Sequence, residues 1–202
     1  MSRQVTVYYA LQSPWTYLGW ARFRELAAKV AAEVDYRPIE MASVFAASGG
    51  LPLARRPQQR QAYRLMELKR WRQRLGVPLN LHPRHFPVDE ALAGRMVVAH
   101  GRTGGDVGRL SQAMMTAVWA EERDLADRPT LLAIAAEQDL DGGALLEAAA
   151  SAAVQAAYHA NTEAAIAAGV FGVPTFQIGD ELFWGQDRLD FVAAALARPA
   201  AA

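Results

Sequence analysis

Gly169-Val-Phe-Gly-Val-Pro-Thr-Phe176, taken with Ser13-Pro14-Trp15-Thr16, decides how the chain is read. The first stretch is an extended segment broken by Val173-Pro174. A short apolar strand follows, Thr175 to Ile178, then a turn at Gly179-Asp180 and a second strand, Glu181 to Trp184. The second stretch comes directly after Val5-Thr-Val-Tyr-Tyr-Ala10, a β-branched and aromatic run that reads as a buried strand. Ser13 then stands where an N-cap belongs, with Pro14 at the first helical position.

Outward from these stretches, Trp20, Phe23, Ala27 and Val30 form one apolar helical stripe. Val34 to Ile39 reads as a second strand, so the N-terminus is a βαβ unit with an expected right-handed crossover. The character then changes. Ser48 to Pro52 is a loop, and Gln58 to Leu75 is a helix ending at Gly76 with Pro78 beyond it. Asn80 to Pro87 is irregular. Asp89 to His100 and Asp106 to Glu122 are helical, and Asp127 with Pro129 opens another helix. Asp139 to Gly143 breaks the chain before an alanine-rich helical run to Ala168. No strand is expected between Ile39 and Phe171. Asp187 to Ala197 closes the chain as a helix, with Pro199 past its end. A helix start that faces an X-Pro step before a hairpin is the plan of a thioredoxin-like fold. The expected class is α/β: residues 1–40 and 170–202 form a thioredoxin-like domain, and 41–169 are a large all-helical insertion spliced into it.

Composition narrows the function. Hydrophobic residues make up 52% and charged residues 21%, as in ordinary soluble domains. The 21 basic and 21 acidic residues cancel, which argues against a general attraction to nucleic acid or anionic membrane. There is no cysteine, so disulfides, thiolate-metal centres and a cysteine nucleophile are excluded. The first residues are too polar for a signal peptide, and no run of about 18 apolar residues marks a membrane span. A cytoplasmic location is expected.

Ser13 and Thr16 occupy the two positions that cysteines hold in thiol-active proteins of this plan, at a helix N-terminus that favours a thiolate. A hydroxyl cannot carry out redox chemistry, but it can donate a hydrogen bond to a sulfur brought by a peptide. Lowering a thiol pKa by about two takes roughly 2.7 kcal/mol. One hydrogen bond to a charged group supplies about 1.5–3 kcal/mol, and the helix end adds about 0.3–1 kcal/mol. Taken alone, Ser13 also reads as a plain N-cap. Val173 shifts the balance, because a cis-Pro174 facing the helix would leave the Val173 peptide groups to pair with a bound peptide. In Trp184-Gly-Gln-Asp-Arg188, helix-start amides suit a carboxylate and Asp187 an ammonium group, the pair that a γ-glutamyl end carries. Asp187 as an N-cap is the plainer reading.

Arg55 to Arg74 carries eight of the 21 basic residues and one acid, Glu67. Most form a solvated face, with Arg55 and Arg60 the candidates for an anionic ligand. The histidines are His82, His85, His100 and His159; His82-x-x-His85 lies in a loop with no nearby carboxylate pair of the usual ligand spacing, so no metal site is expected. A loop histidine such as His85 can meet a substrate carboxylate, and Trp15, Tyr17, Phe86 and Trp184 can line an aromatic pocket, although core packing is the commoner fate of such residues.

Ser13-Pro-Trp-Thr-Tyr-Leu18, Tyr63 to Trp71, Leu75-Gly-Val-Pro78, Phe86-Pro-Val88, Asn161-Thr162, Gly169 to Thr175 and Leu182 to Leu189 together resemble the 2-hydroxychromene-2-carboxylate isomerases. These are similar to kappa-class glutathione transferases within the DsbA-like thioredoxin group. The resemblance spans nearly the whole chain, in order. It implies glutathione as cofactor, with Ser13 at its thiolate, Val173 and Pro174 at its cysteinyl backbone, and Gln186, Asp187 and Arg188 at its γ-glutamyl end. Arg60 falls where a lysine is expected, and Gln186 where asparagine is common. Asp89 and Glu90 fall where Asn and a hydroxyl residue are expected. The implied reaction is reversible isomerisation of a hydroxychromene carboxylate, a small aromatic acid, to an open-chain benzylidene pyruvate, in a homodimer. Trp15, Phe86, His85, Trp184 and Arg55 are the candidates for that substrate. The alternatives are a kappa-like transferase or peroxidase acting on another electrophile, and a non-catalytic peptide-binding module.

Overall fold

A computed structural model describes residues 4–198. Four strands form one sheet in the order β2-β1-β3-β4. β1 (Gln4–Tyr9) and β2 (Glu33–Pro38) are parallel and flank α1 (Pro14–Lys29) in the chain. β3 (Thr175–Ile178) runs antiparallel to β1, and β4 (Glu181–Trp184) returns antiparallel to β3. Both faces of β1 are covered. Val5, Val7 and Tyr9 point into the larger apolar cluster, and Tyr8 and Ala10 into a smaller one with Ile39, Val44, Ala165, Val170 and Val173. That two-sided burial explains why β1 reads as a nearly continuous apolar run.

Between β2 and β3 the described residues are helical, without a strand: α2 (Met41–Ser48), a short 3-10 turn (Leu53–Arg55), α3 (Gln58–Leu75), α4 (Ala91–Arg102), α5 (Val107–Trp119), α6 (Arg128–Glu137), α7 (Gly142–Ala150) and α8 (Ala152–Ala167). Their starts are set by local chemistry. Asp106, Asp127 and Asp141 each accept the amide of the third residue on, at 2.8, 3.0 and 2.9 Å, and Ser151 accepts that of Val154 at 3.3 Å. α3 ends at Gly76 in the left-handed region, φ 64°, as the Leu-Gly step predicts. α4 starts at Ala91 rather than Asp89, because the Asp89 carboxylate accepts the Ala91 amide while Glu90 turns inward. The closing helix also differs from expectation. A 3-10 turn (Gln186–Arg188) precedes α9 (Leu189–Ala197), so Asp187 is not its N-cap. The expectation at Pro199 and the reading of the first three residues lie outside the described residues.

The helices share a core with the sheet. One cluster holds Val5, Val7, Trp20, Phe23 and Phe176 together with Leu68, Met96, Leu110, Met114 and Trp119. α1 is the pivot of this packing. Trp20 meets Tyr9 at 4.6 Å and Tyr36 at 5.4 Å, and its indole N–H donates to the Gly108 carbonyl at 2.9 Å. The Tyr17 hydroxyl donates to the Pro78 carbonyl at 2.7 Å. The N-terminus of α1 is therefore held from the sheet side and from the insertion side at once. Among the described residues no helix is long and apolar enough to cross a membrane, and no group of three or more acidic or histidine side chains is placed to hold a metal ion.

Candidate active site

Ser13 caps α1 as its sequence context predicts. Its backbone is extended, and its Oγ accepts the Thr16 amide at 3.3 Å. The residue is 8% exposed. Its hydroxyl proton meets no protein acceptor among the described residues and remains available to a ligand. Thr16, one turn along, is different. It is fully buried, and its Oγ1 has no hydrogen-bond partner among the described residues. A buried hydroxyl without a partner costs about 1–3 kcal/mol. Thr16→Val keeps the shape and removes that cost, so urea denaturation should show a more stable protein by about 1 kcal/mol or more.

The strand register carries the second part of the site to the same end of the sheet. Tyr8 lies opposite Thr175, so the segment just before Thr175 runs beside the end of β1, from which the chain leads into Ser13. The Val173–Pro174 peptide is cis. Thr175 Oγ1 donates to the Gly172 carbonyl at 2.7 Å and the Gly185 amide to the Pro174 carbonyl at 2.9 Å, which fixes the bend. Neither peptide group of Val173 is bonded to another described residue, so both remain for a ligand backbone. Trp184, 51% exposed, stands over the bend edge-on to Phe171, with ring centroids 4.7 Å apart. A Cβ on Gly172 would lie 2.5 Å from the Trp184 indole nitrogen, so only glycine fits beneath it.

The turn at 186–188 packs on α1. Gln186 is 2% exposed, and Arg22 donates to its backbone carbonyl at 3.0 Å and to its side-chain oxygen. Its amide oxygen is therefore committed inside the protein, whereas Asp187 and Arg188 stand exposed as an ion pair at 3.4 Å. Close approach at Gly19 permits this packing: a Cβ there would lie 2.6 Å from Gln186 Cβ and 3.3 Å from its Cα. Gly19→Ala gains about 1 kcal/mol of helix propensity, but must displace the turn, and such overpacking costs about 1–3 kcal/mol. The expected net result is a lower urea midpoint; a higher one would show that the turn yields freely.

On the other side of Ser13, the loop before α4 is tied to the residue preceding it. Gln12 donates through its backbone amide and its side-chain nitrogen to the two oxygens of Glu90, each at 2.9 Å, and its own Oε1 accepts the Val88 amide at 3.2 Å. Glu90 is buried, and desolvation, opposed by the Gln12 bonds, pushes its carboxyl up to about 7. Phe86 lies in this loop and meets Trp119, with ring centroids 5.0 Å apart. Trp15 is half-buried in the first turn of α1 and packs on the core. His85 turns to Asp124, Nδ1 to Oδ2 3.5 Å. Arg55 and Arg60 are exposed, and no contact ties either to Ser13. Two shallow surface depressions beside α1, α5 and α6 are lined by none of these residues.

A family profile described as a DSBA-like thioredoxin domain matches residues 4–197. The chain belongs to this family. The DSBA-like profile and the sheet bear out the thioredoxin-like fold with its helical insertion, and the curated relatives bear out the resemblance stated above. A 2-hydroxychromene-2-carboxylate isomerase of Sphingobium xenophagum is 30% identical over 97% of this chain and 99% of that one. The Pseudomonas putida protein of the same name is 32% identical over 96% and 94%. A solved 2-hydroxychromene-2-carboxylate isomerase aligns with TM-score 0.80 at 29% identity, covering 96% of this chain and 95% of that one.

Within this DSBA-like frame, four residues near the site escape sequence reading: Gln12, Arg22, Arg64 and Glu90. Glu90 carried a signal, an acid at a position where the resemblance expects a hydroxyl residue. Arg64 carried one too, since it shares the less exposed face of α3 with Leu68, Trp71 and Leu75.

Proposed function

We propose that the protein is a glutathione-dependent isomerase of 2-hydroxychromene-2-carboxylate-type acids. The observation that carries this reading is the pairing of a free Ser13 hydroxyl at the start of α1 with an unpaired Val173 peptide at the same end of the sheet, in a chain with no cysteine. A cysteine-free member of a thiol-active fold needs its sulfur from outside, and curated relatives over the whole length are isomerases by name.

When bound, glutathione would supply a thiolate that adds reversibly to the conjugated carbon of the substrate and leaves after the new single bond has turned, so that it is regenerated. The residues present fit such a guest. Val173 would pair with its backbone as an added strand does. Asp187 and Arg188 offer charges of both signs to an amino-acid end. Gln186 serves by holding the turn against α1, because its side-chain oxygen is already bonded to Arg22. Ser13 would donate to the sulfur, aided by the helix N-terminus, and hold it ionised. Trp15 in the first turn of α1, Phe86 in the loop tied to Gln12 and Trp184 over the bend would face the aromatic ring. His85 would act through the loop, given its approach to Asp124.

Two measurements test the reading together. Calorimetry should show saturable glutathione binding, and hydroxychromene carboxylate should be converted only when glutathione is added. Turnover that ignores glutathione would overturn the proposal.

A further inference from the structure

Arg64 is a half-buried cation without a counter-ion among the described residues. Its guanidinium carbon stands 5.1 Å from the centroid of the Phe86 ring and 6.0 Å from that of Trp119. The aromatic faces attract the guanidinium but carry no formal charge to neutralise it. No described carboxylate lies within ion-pairing distance of Arg64, and no described residue hydrogen-bonds to it. The one acid of α3, Glu67, pairs with Arg70 instead. Burial, and after it the like charge of Arg56, lowers the guanidinium pKa to about 10. Arg56 is itself engaged, its Nε donating to the Leu51 carbonyl at 2.8 Å. Partly desolvating a cation with no partner is unfavourable, and an incoming anion relieves it.

The place matters as much as the charge. Phe86 precedes Val88 by two residues, and the Val88 amide is bonded to Gln12, the neighbour of Ser13. Arg64 therefore overlies the loop that flanks the start of α1. A flat guanidinium fork beside an aromatic ring matches a flat acid, with its carboxylate on the fork and its ring against Phe86.

We propose that Arg64 binds the carboxylate of an aromatic acid at the Ser13 site, with Phe86 against the ring of that acid. The link to turnover rests on the isomerase reading; the binding itself does not.

Salicylate, with salicylamide as its uncharged counterpart, probes binding by calorimetry, and hydroxychromene carboxylate probes turnover. Arg64→Met keeps the stem over the rings and removes the charge. It is expected to raise the salicylate Kd and the substrate KM by about 10- to 100-fold, the worth of a hydrogen bond to a charged group. Salicylamide binding, glutathione Kd and the urea midpoint should stay near wild type. Arg64→Lys, which keeps the charge without the fork, should fall between the two. Unchanged salicylate binding in Arg64→Met overturns the proposal. So does a loss confined to glutathione, which would assign Arg64 to the peptide's own carboxylate. If wild-type protein fails to isomerise but binds salicylate in an Arg64-dependent way, the isomerase reading falls and the anion site stands.

Discussion

Ser13→Gly is expected to lower isomerase turnover by about 10- to 150-fold, the factor that corresponds to losing one hydrogen bond of about 1.5–3 kcal/mol to a charged group. Ser13 also caps α1 through the Thr16 amide, and the two roles have to be separated. Ser13→Ala removes the hydroxyl and the cap, at about 1 kcal/mol of stability; Ser13→Gly removes the hydroxyl but costs the helix only a few tenths. If the hydroxyl acts on sulfur, both variants lose turnover equally while their urea midpoints differ. Glutathione affinity should change less than about threefold, because the peptide partners at Val173 and the 186–188 turn remain. The thiol pKa of bound glutathione, followed by thiolate absorbance, should climb back toward about 8.5. Wild-type turnover in Ser13→Gly would reduce Ser13 to a cap.

The second large effect is a pH dependence of stability centred on Glu90. Burial lifts its carboxyl from 4.5 to about 7 in the folded protein. The two donors of Gln12 favour the ionised form, and Asp89 opposes it; the buried phenols of Tyr9 and Tyr158 also face this carboxyl. Below pH 4.5 both folded and unfolded chains hold the proton, so this group adds no pH dependence there. Between 4.5 and about 7 the unfolded chain releases the proton first and the folded chain keeps it. Stability from this residue is thus fully present below 4.5, lost as pH rises through that window, and level above it. The full loss is about 3 kcal/mol. Glu90→Gln cannot ionise and carries a constant cost, because an amide cannot accept from both donors of Gln12. Relative to wild type, the variant should therefore gain about 3 kcal/mol between pH 4.5 and 8 in urea denaturation. Parallel curves for the two proteins would show that Glu90 does not titrate there.

Much of this architecture is local in origin and was legible for that reason. β1, the cap at Ser13, the helix over Gln58–Leu75, the aspartate N-caps and the proline-entered hairpin each follow from residues within one turn or one strand of each other. The same holds for Ser13, Val173 and Pro174, which lie at boundaries that sequence punctuation marks. The closing turn is not legible in this way, because Asp187 looks like a cap in isolation. What moves the helix start to Leu189 is the packing of Gln186 against Gly19 and Arg22, residues more than a hundred and sixty positions away. Arg55 and Arg60 stand out in a stretch, Arg55 to Arg74, with eight basic residues, but charge alone cannot say which side chains turn inward.

From the sequence alone come the absence of any sulfur nucleophile, a hydroxyl in its place, and the order of strand, helix, insertion and hairpin. Those depend on composition and on neighbours along the chain. The tertiary structure alone decides that Glu90 is buried beneath Gln12, that Gln186 is tied to Arg22, and that Arg64 rests on Phe86 and Trp119 with no described acid beside it. Burial and charge pairing are properties of residues distant in the chain and adjacent in space, and no local pattern encodes them.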